Sequence, residues 1–247
     1  DIVTTLVEQP AAQVMLRPEN VGRFDAVLFY DMSGIANAGL VHDDSNDTGQ
    51  PTDDYRQSIE ALVASGKGIV MLNHATCSWP EWPLWRQIHG SSFMLTEGEV
   101  FGDTVPGSGY AGGHGPLPNP SFTLSPVDAS HPVTAGLEGG LTVADEIYIK
   151  SNNFEANVLP LMRSDYEYVS SNFTAPPMAP AEQQEGWTHP GGSNLVVWAN
   201  AAENSPVVAS DIGDSPGAFE NTGFRRLLKN ALQWVASDEA RQWARQQ

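Results

Sequence analysis

Residues 68–72, Gly68-Ile69-Val70-Met71-Leu72, form an unbroken apolar run, and the polar turn sequence Asn73-His74-Ala75-Thr76 follows at once. A strand with no polar alternation has to be covered on both faces, as happens inside a helix-covered sheet. Asp25-Ala26-Val27-Leu28-Phe29-Tyr30 is a second run of this kind and ends at Asp31. Between the two, Asp53–Ala64 carries Ile59, Leu62 and Val63 on one helical stripe, with Thr52 or Asp53 to cap it and Gly66 to end it. Residues 79–88 read as another helix, with proline in its first turns. Residues 224–234 are amphipathic and point on toward Trp243. Shorter apolar runs at 3–7, 122–124, 158–162, 195–198 and 207–209 complete an alternation of strands and helices. The pattern predicts an α/β fold: a mainly parallel open sheet with helices on both faces, built as a single domain of residues 1–247. Gly68–Leu72 is the expected central strand.

Charge and loops narrow the function. The 30 acidic and 12 basic residues give a net charge of −18, which repels phosphate backbones and anionic membranes, so nucleic acid and membrane are excluded as expected partners. Cys77 is the only cysteine, so no intrachain disulfide can form. No apolar run is long enough to span a membrane. The first residues lack the basic segment of a signal peptide, and the expected address is cytoplasmic. Residues 102–120 hold six glycines and four prolines together with Tyr110 and His114. A loop of that length and content is expected to lie, structured, over a site.

In an open parallel sheet, ligands gather at the carboxyl ends of the strands. Asp31 and His74 both sit just past such ends, which makes them catalytic candidates on pattern alone. An imidazole there can act as base, acid or metal ligand, or it can simply bond its own turn. Asp145-Glu146 precedes Ile147-Tyr148, and adjacent strand residues point to opposite faces, so only one carboxylate can reach a site. Glu146 is expected there and Asp145 in solvent. Tyr110 and His114 are expected to close over a ligand, Trp79 to supply an apolar wall, and Asp214 either to cap the next turn or to face the site. Trp82 and Trp85, at helical spacing, read as core. Cys77 lacks the glycine-flanked elbow of a hydrolase nucleophile and reads as a small buried hydrophobe. His131 reads as fixing the turn at Pro132. No cofactor is expected. A divalent metal through His74, His114, His131 and a carboxylate stays open, because no short His-x-His or His-x3-His spacing marks one.

Several segments, taken in order, are similar to a known family. They are Val27-Leu28-Phe29-Tyr30-Asp31-Met32, Gly66-Lys67-Gly68 through His74-Ala75, Trp79-Pro80-Glu81-Trp82 and Ser108-Gly109-Tyr110. His131-Pro132-Val133-Thr134-Ala135-Gly136-Leu137 and Asp145-Glu146-Ile147-Tyr148 follow, then Val197-Trp198-Ala199-Asn200, Gly213-Asp214 and residues 224–234. Together they resemble the ThuA-like (trehalose utilisation) family, within the class I glutamine amidotransferase-like, flavodoxin-like folds. The chain departs from the family in two places. Gly213-Asp214-Ser215 stands where many members have Gly-His-Asp, and the strand and helix with which the family usually opens are expected to be absent. The resemblance implies an enzyme of carbohydrate catabolism acting on a sugar or an oxidised disaccharide derivative, with a carbohydrate as the small-molecule partner and a homo-oligomer left open. A non-catalytic sugar-binding domain is the alternative, and an amidotransferase-type hydrolase using Cys77 the third reading.

Overall fold

The computed structural model describes residues 2–34, 51–91, 93–113 and 115–247. In chain order these form α1 (Ala11–Met15), α2 (Pro18–Val21), β1 (Ala26–Phe29), α3 (Asp53–Ala64), β2 (Gly68–Leu72) and α4 (Pro83–His89). Then come β3 (Gly98–Val100), β4 (Asp103–Val105), β5 (Gly109–Ala111), β6 (Ser121–Pro126), β7 (Leu141–Ala144), β8 (Ile147–Ile149) and β9 (Leu159–Ser164). The chain closes with α5 (Ala181–Gln184), β10 (Leu195–Ala202), β11 (Ser205–Ser210), α6 (Pro216–Glu220), α7 (Thr222–Val235) and α8 (Asp238–Ala244).

Seven strands make one sheet in the order β1-β2-β11-β10-β9-β6-β7. The expected fold is corrected at this point. Among the described residues only β1, β2 and β11 run parallel to one another, and the pairs from β11 outward to β7 are antiparallel. The sheet is therefore mixed and largely antiparallel. The cause is local: β10 and β11 are joined by Glu203 and Asn204 alone, and two residues reverse a chain without carrying it back over a sheet. Farther out, β7 alternates buried and exposed residues, as does most of β6, the signature of strands covered on one side.

β2 is buried along its whole length between two parallel neighbours, although it lies one strand in from β1 rather than at the middle. Its side chains divide by the period of two. Ile69 and Met71 pack with Tyr55, Ile59 and Leu62 of α3 and Trp85 of α4, whereas Val70 and Leu72 pack with Phe224, Leu227 and Trp234 of α7. Helices thus cover both faces, as expected. Glycine is required at position 68: a Cβ there would stand 2.2 Å from the carbonyl oxygen of Val235, where α7 ends against the start of β2.

The helices follow their sequence signals in part. The Thr52 side chain caps α3 by accepting from the Tyr55 N–H, and Asp53 and Asp54 complement the dipole of its first turn. α4 begins at Pro83, four residues later than expected, because residues Asn73–Thr76 form a 3-10 turn and Trp79 adopts a left-handed φ of 49°. The last helix is interrupted: α7 stops at Val235 and the Ser237 side chain caps α8. Residues 3–7 form no strand. They pair with nothing among the described residues, and Val3 and Leu6 are exposed. No helix among the described residues is long and apolar enough to cross a membrane.

Candidate functional site

Parallel strands end on the same edge of a sheet, so β1, β2 and β11 deliver their following residues to one place. Tyr30 follows β1, His74 lies in the turn after β2, and Asp214 lies four residues past β11. Asn73 makes the turn after β2 possible by adopting a φ of 43°, a conformation Asn tolerates better than most residues. Its side-chain amide donates to the Asp211 carbonyl at 2.9 Å and ties the elbow to the end of β11. Glu146 enters from the connection between β7 and β8.

At the centre, His74 Nε2 lies 3.4 Å from Glu146 Oε2 and 3.5 Å from Asp214 Oδ1. One ligand-type atom from each of His74, Glu146 and Asp214 lies within 4.8 Å of the other two, and these residue types are able to hold a divalent cation. Glu146 is nearly enclosed, and the His74 side chain keeps 24 % of its surface open. Burial alone pushes the imidazole pKa down. Glu146, with Asp214 and Asp145, outweighs burial and holds it above the ordinary value. Tyr30 stacks on the His74 ring, with centroids 6.1 Å apart and planes 29° apart, and meets Phe219 edge-on. Burial, then the charges of Asp214, Asp145 and Glu146, push its hydroxyl up to about 12.

The centre is braced from behind. The Tyr148 hydroxyl donates to Glu146 Oε2 at 2.7 Å. Gly113, with a φ of 58°, lets the backbone pass the other oxygen, since a Cβ there would come within 2.1 Å of Oε1. Asp145 is not solvated as expected but fully buried. Its carboxylate accepts from the backbone N–H groups of Gly213 at 2.6 Å, Asp214 at 3.3 Å and Ser215 at 2.7 Å. The sequence argument that the two neighbouring carboxylates diverge holds; the error lay in assuming that the second one finds water. Lys150 and Asp211 form a buried pair at 2.7 Å, with the ammonium 4.4 Å from the Trp198 ring centre. Asp211 also accepts from Thr76 Oγ1 at 3.4 Å. One carboxylate therefore fastens both the His74 elbow and the start of the Asp214 loop.

The other expected site residues fall elsewhere. The Asp31 carboxylate accepts from Ser33 Oγ at 2.9 Å and Gln9 Nε2 at 3.2 Å and is not part of the His74 group. Burial raises its pKa against the pull of those two bonds. Trp79 is no wall of the site. It is buried in the opposite core, with its ring 5.7 Å from that of Tyr55 and packed against Gly34. Tyr110 sits on β5 directly across from Tyr148 on β8, nearly buried, and burial, then the charge of Glu146, raise its pKa. His114 lies outside the described residues. His131 Nδ1 accepts from the Val133 N–H and its ring meets Trp234 edge-on, a structural role. Cys77 is buried, and burial and Glu146 both push its thiol up, which suppresses the thiolate a nucleophile needs. Sequence reasoning missed Tyr30 and Tyr148. The alternation applied to Asp145 and Glu146 also separates Tyr30 from Asp31, and it would have allowed only one of them at the site.

The family model described as ThuA, trehalose utilisation, matches residues 2–235. The chain belongs to the ThuA family. Two solved structures share the fold. One is a ThuA-like protein from Parabacteroides merdae ATCC 43184, 19 % identical over 92 % of this chain and 84 % of that one, with a TM-score of 0.52. The other is a ThuA-like protein from Bacteroides uniformis ATCC 8492, 15 % identical over 92 % and 75 %, with a TM-score of 0.59. No curated protein sequence matches the chain. The recognised family segments contribute directly to the centre: the β2 elbow supplies His74, the 145–148 segment supplies Glu146 and Tyr148, and the Gly213-Asp214 pair supplies Asp214.

Proposed function

We propose that this ThuA-family chain is an enzyme of carbohydrate catabolism that acts on a sugar or an oxidised disaccharide derivative at the His74–Glu146–Asp214 centre. The observation that carries the reading is the convergence of an imidazole and two carboxylates at the carboxyl edge of the sheet, beneath a half-exposed tyrosine ring. A sugar hydroxyl needs a partner that can take or give a proton, or polarise its oxygen, and a carboxylate-flanked imidazole suits that work. Tyr30 and Phe219 offer aromatic surface for the C–H face of a sugar ring. Gly213-Asp214-Ser215, which lacks the histidine of many relatives, supplies a carboxylate in its place. That favours chemistry over a sugar-binding domain that has lost it. A cytoplasmic address accompanies this proposal.

Turnover of oxidised disaccharides tests it. The wild-type chain should convert one of them, and His74→Ala should abolish conversion while leaving the circular dichroism spectrum and melting temperature close to wild type. Binding without conversion would move the chain to the sugar-binding reading. Turnover that survives His74→Ala would remove the centre from the mechanism.

A further inference from the structure

We infer that His74 Nε2, Glu146 Oε2 and Asp214 Oδ1 are the three protein ligands of a divalent cation of the zinc or manganese class, with at least one coordination position left open toward the substrate. The inference rests on reading this centre as the functional site, although not on the ligand being a sugar. The first argument is spacing. The two contacts of His74, at 3.4 and 3.5 Å, are long for N–H···O hydrogen bonds, which run to about 3.2 Å. Two ligand atoms that each stand about 2.1 Å from one ion at a tetrahedral angle are separated by about 3.4 Å. His74 Nε2 therefore stands from each carboxylate oxygen at the separation that an ion between them requires, and the group as a whole spans no more than 4.8 Å.

The second argument is the donor set. One imidazole and two carboxylates provide three protein ligands and leave a position open, as catalytic zinc sites do, and oxygen-rich sites of this kind also suit manganese. The third argument is the shell behind the ligands. Metal-binding carboxylates and imidazoles are normally held by second partners that fix their orientation. Here the Tyr148 hydroxyl holds Glu146, the Asp145 carboxylate gathers the amides of the Asp214 loop, and Asn73 and Thr76 anchor the His74 elbow on Asp211. A cation also balances Glu146, Asp214 and Asp145 gathered in one small space. With the ion in place His74 is a ligand rather than a proton carrier, and polarising the substrate oxygen falls to the ion.

Isothermal titration of chelator-stripped, full-length protein with zinc chloride, repeated with manganese chloride, tests the inference. One site per chain is expected, lost in His74→Ala and in Glu146→Gln and retained in Asp238→Asn, whose side chain is fully exposed. Circular dichroism of each variant confirms that it is folded, and the paired variants keep the test decisive if one of them fails to fold. Absence of any site beyond weak surface binding, or a site that persists in both His74→Ala and Glu146→Gln, would overturn it. The sugar reading is separable. Full turnover of an oxidised disaccharide by stripped protein that takes up no metal removes the ion and keeps the enzyme. Stoichiometric metal uptake without turnover keeps the ion and removes that substrate.

Discussion

At the scale of single residues, Glu146 is the most constrained group in the centre. One oxygen takes the Tyr148 hydroxyl and faces His74, and the other lies against the backbone of Gly113. Tyr148 is buried, and its own pKa is driven well up, by burial first and then by Cys77 and Glu146, so its hydroxyl stays a donor. Tyr148→Phe removes that donor without changing the packed volume. We expect it to lower activity or metal affinity by about 10- to 100-fold, the usual effect of losing an outer partner of a site carboxylate. The melting temperature should move little, since one net hydrogen bond contributes about 1 kcal/mol. Steady-state kinetics and metal titration of the variant check this, and wild-type values in both would show that Tyr148 does not position Glu146. Residue-scale alternation was legible in the sequence for Asp145 and Glu146, because both are carboxylates and the choice was forced. It passed unnoticed for Tyr30 and Asp31, because a carboxylate at a strand end looks more chemical than a phenol.

At the scale of elements, the decisive piece is the loop between β11 and α6. Its three successive amides converge on Asp145, and Ser215 then caps α6 by accepting from the Ala218 N–H. Asp145→Ala leaves those amides without their acceptor. Each unsatisfied buried N–H costs about 1–3 kcal/mol, and relaxation toward solvent recovers part of it, so a loss on the order of 2–3 kcal/mol is expected. The loop that carries Asp214 should loosen at the same time. Urea unfolding should show the lower midpoint, and activity should fall further than the stability loss alone accounts for. A variant with full activity would mean that Asp214 is held by other means. Elements whose signals are local were readable beforehand: α3 has its Thr52 cap and its apolar stripe, and β2 has its unbroken run. The antiparallel half was not, because Glu203-Asn204 lacks the glycine that usually marks a two-residue hairpin, and Glu203 adopts its φ of 50° without one. Residues 3–7 show the converse error. A short run of β-favouring residues makes a strand only where a neighbour supplies the hydrogen bonds.

At the scale of the whole molecule, the sheet divides into a parallel part that leads to Tyr30, His74 and Asp214 and an antiparallel part whose outermost strand, β7, leads to Glu146. β1, β2 and β11, which lead to Tyr30, His74 and Asp214, are the strands that do run parallel, so their carboxyl ends still share one edge despite the error in overall topology. Local alternation could choose Glu146 over Asp145, but that Glu146 comes beside His74 and Asp214 depends on how the antiparallel strands return. Charge is the other whole-molecule property. A net −18 over 247 residues, with 30 acidic against 12 basic side chains, makes the folded chain repel itself. Unfolding moves those charges apart, so the repulsion weighs on the native state more than on the unfolded one. Sodium chloride shortens the range of exposed charges from about 30 Å at 0.01 M to about 10 Å at 0.1 M and about 3 Å at 1 M. If screening restores about 1 kcal/mol, the melting temperature of a chain this size should rise by about 2–4 °C between 0.01 and 0.5 M sodium chloride. Among the described residues the ion pairs that salt would weaken are few and mostly near the surface, and the buried Lys150–Asp211 pair is shielded from it. Scanning calorimetry across that range in chelator-treated buffer gives the measurement. A melting temperature that falls with salt would mean that attraction within the acidic surface outweighs its repulsion.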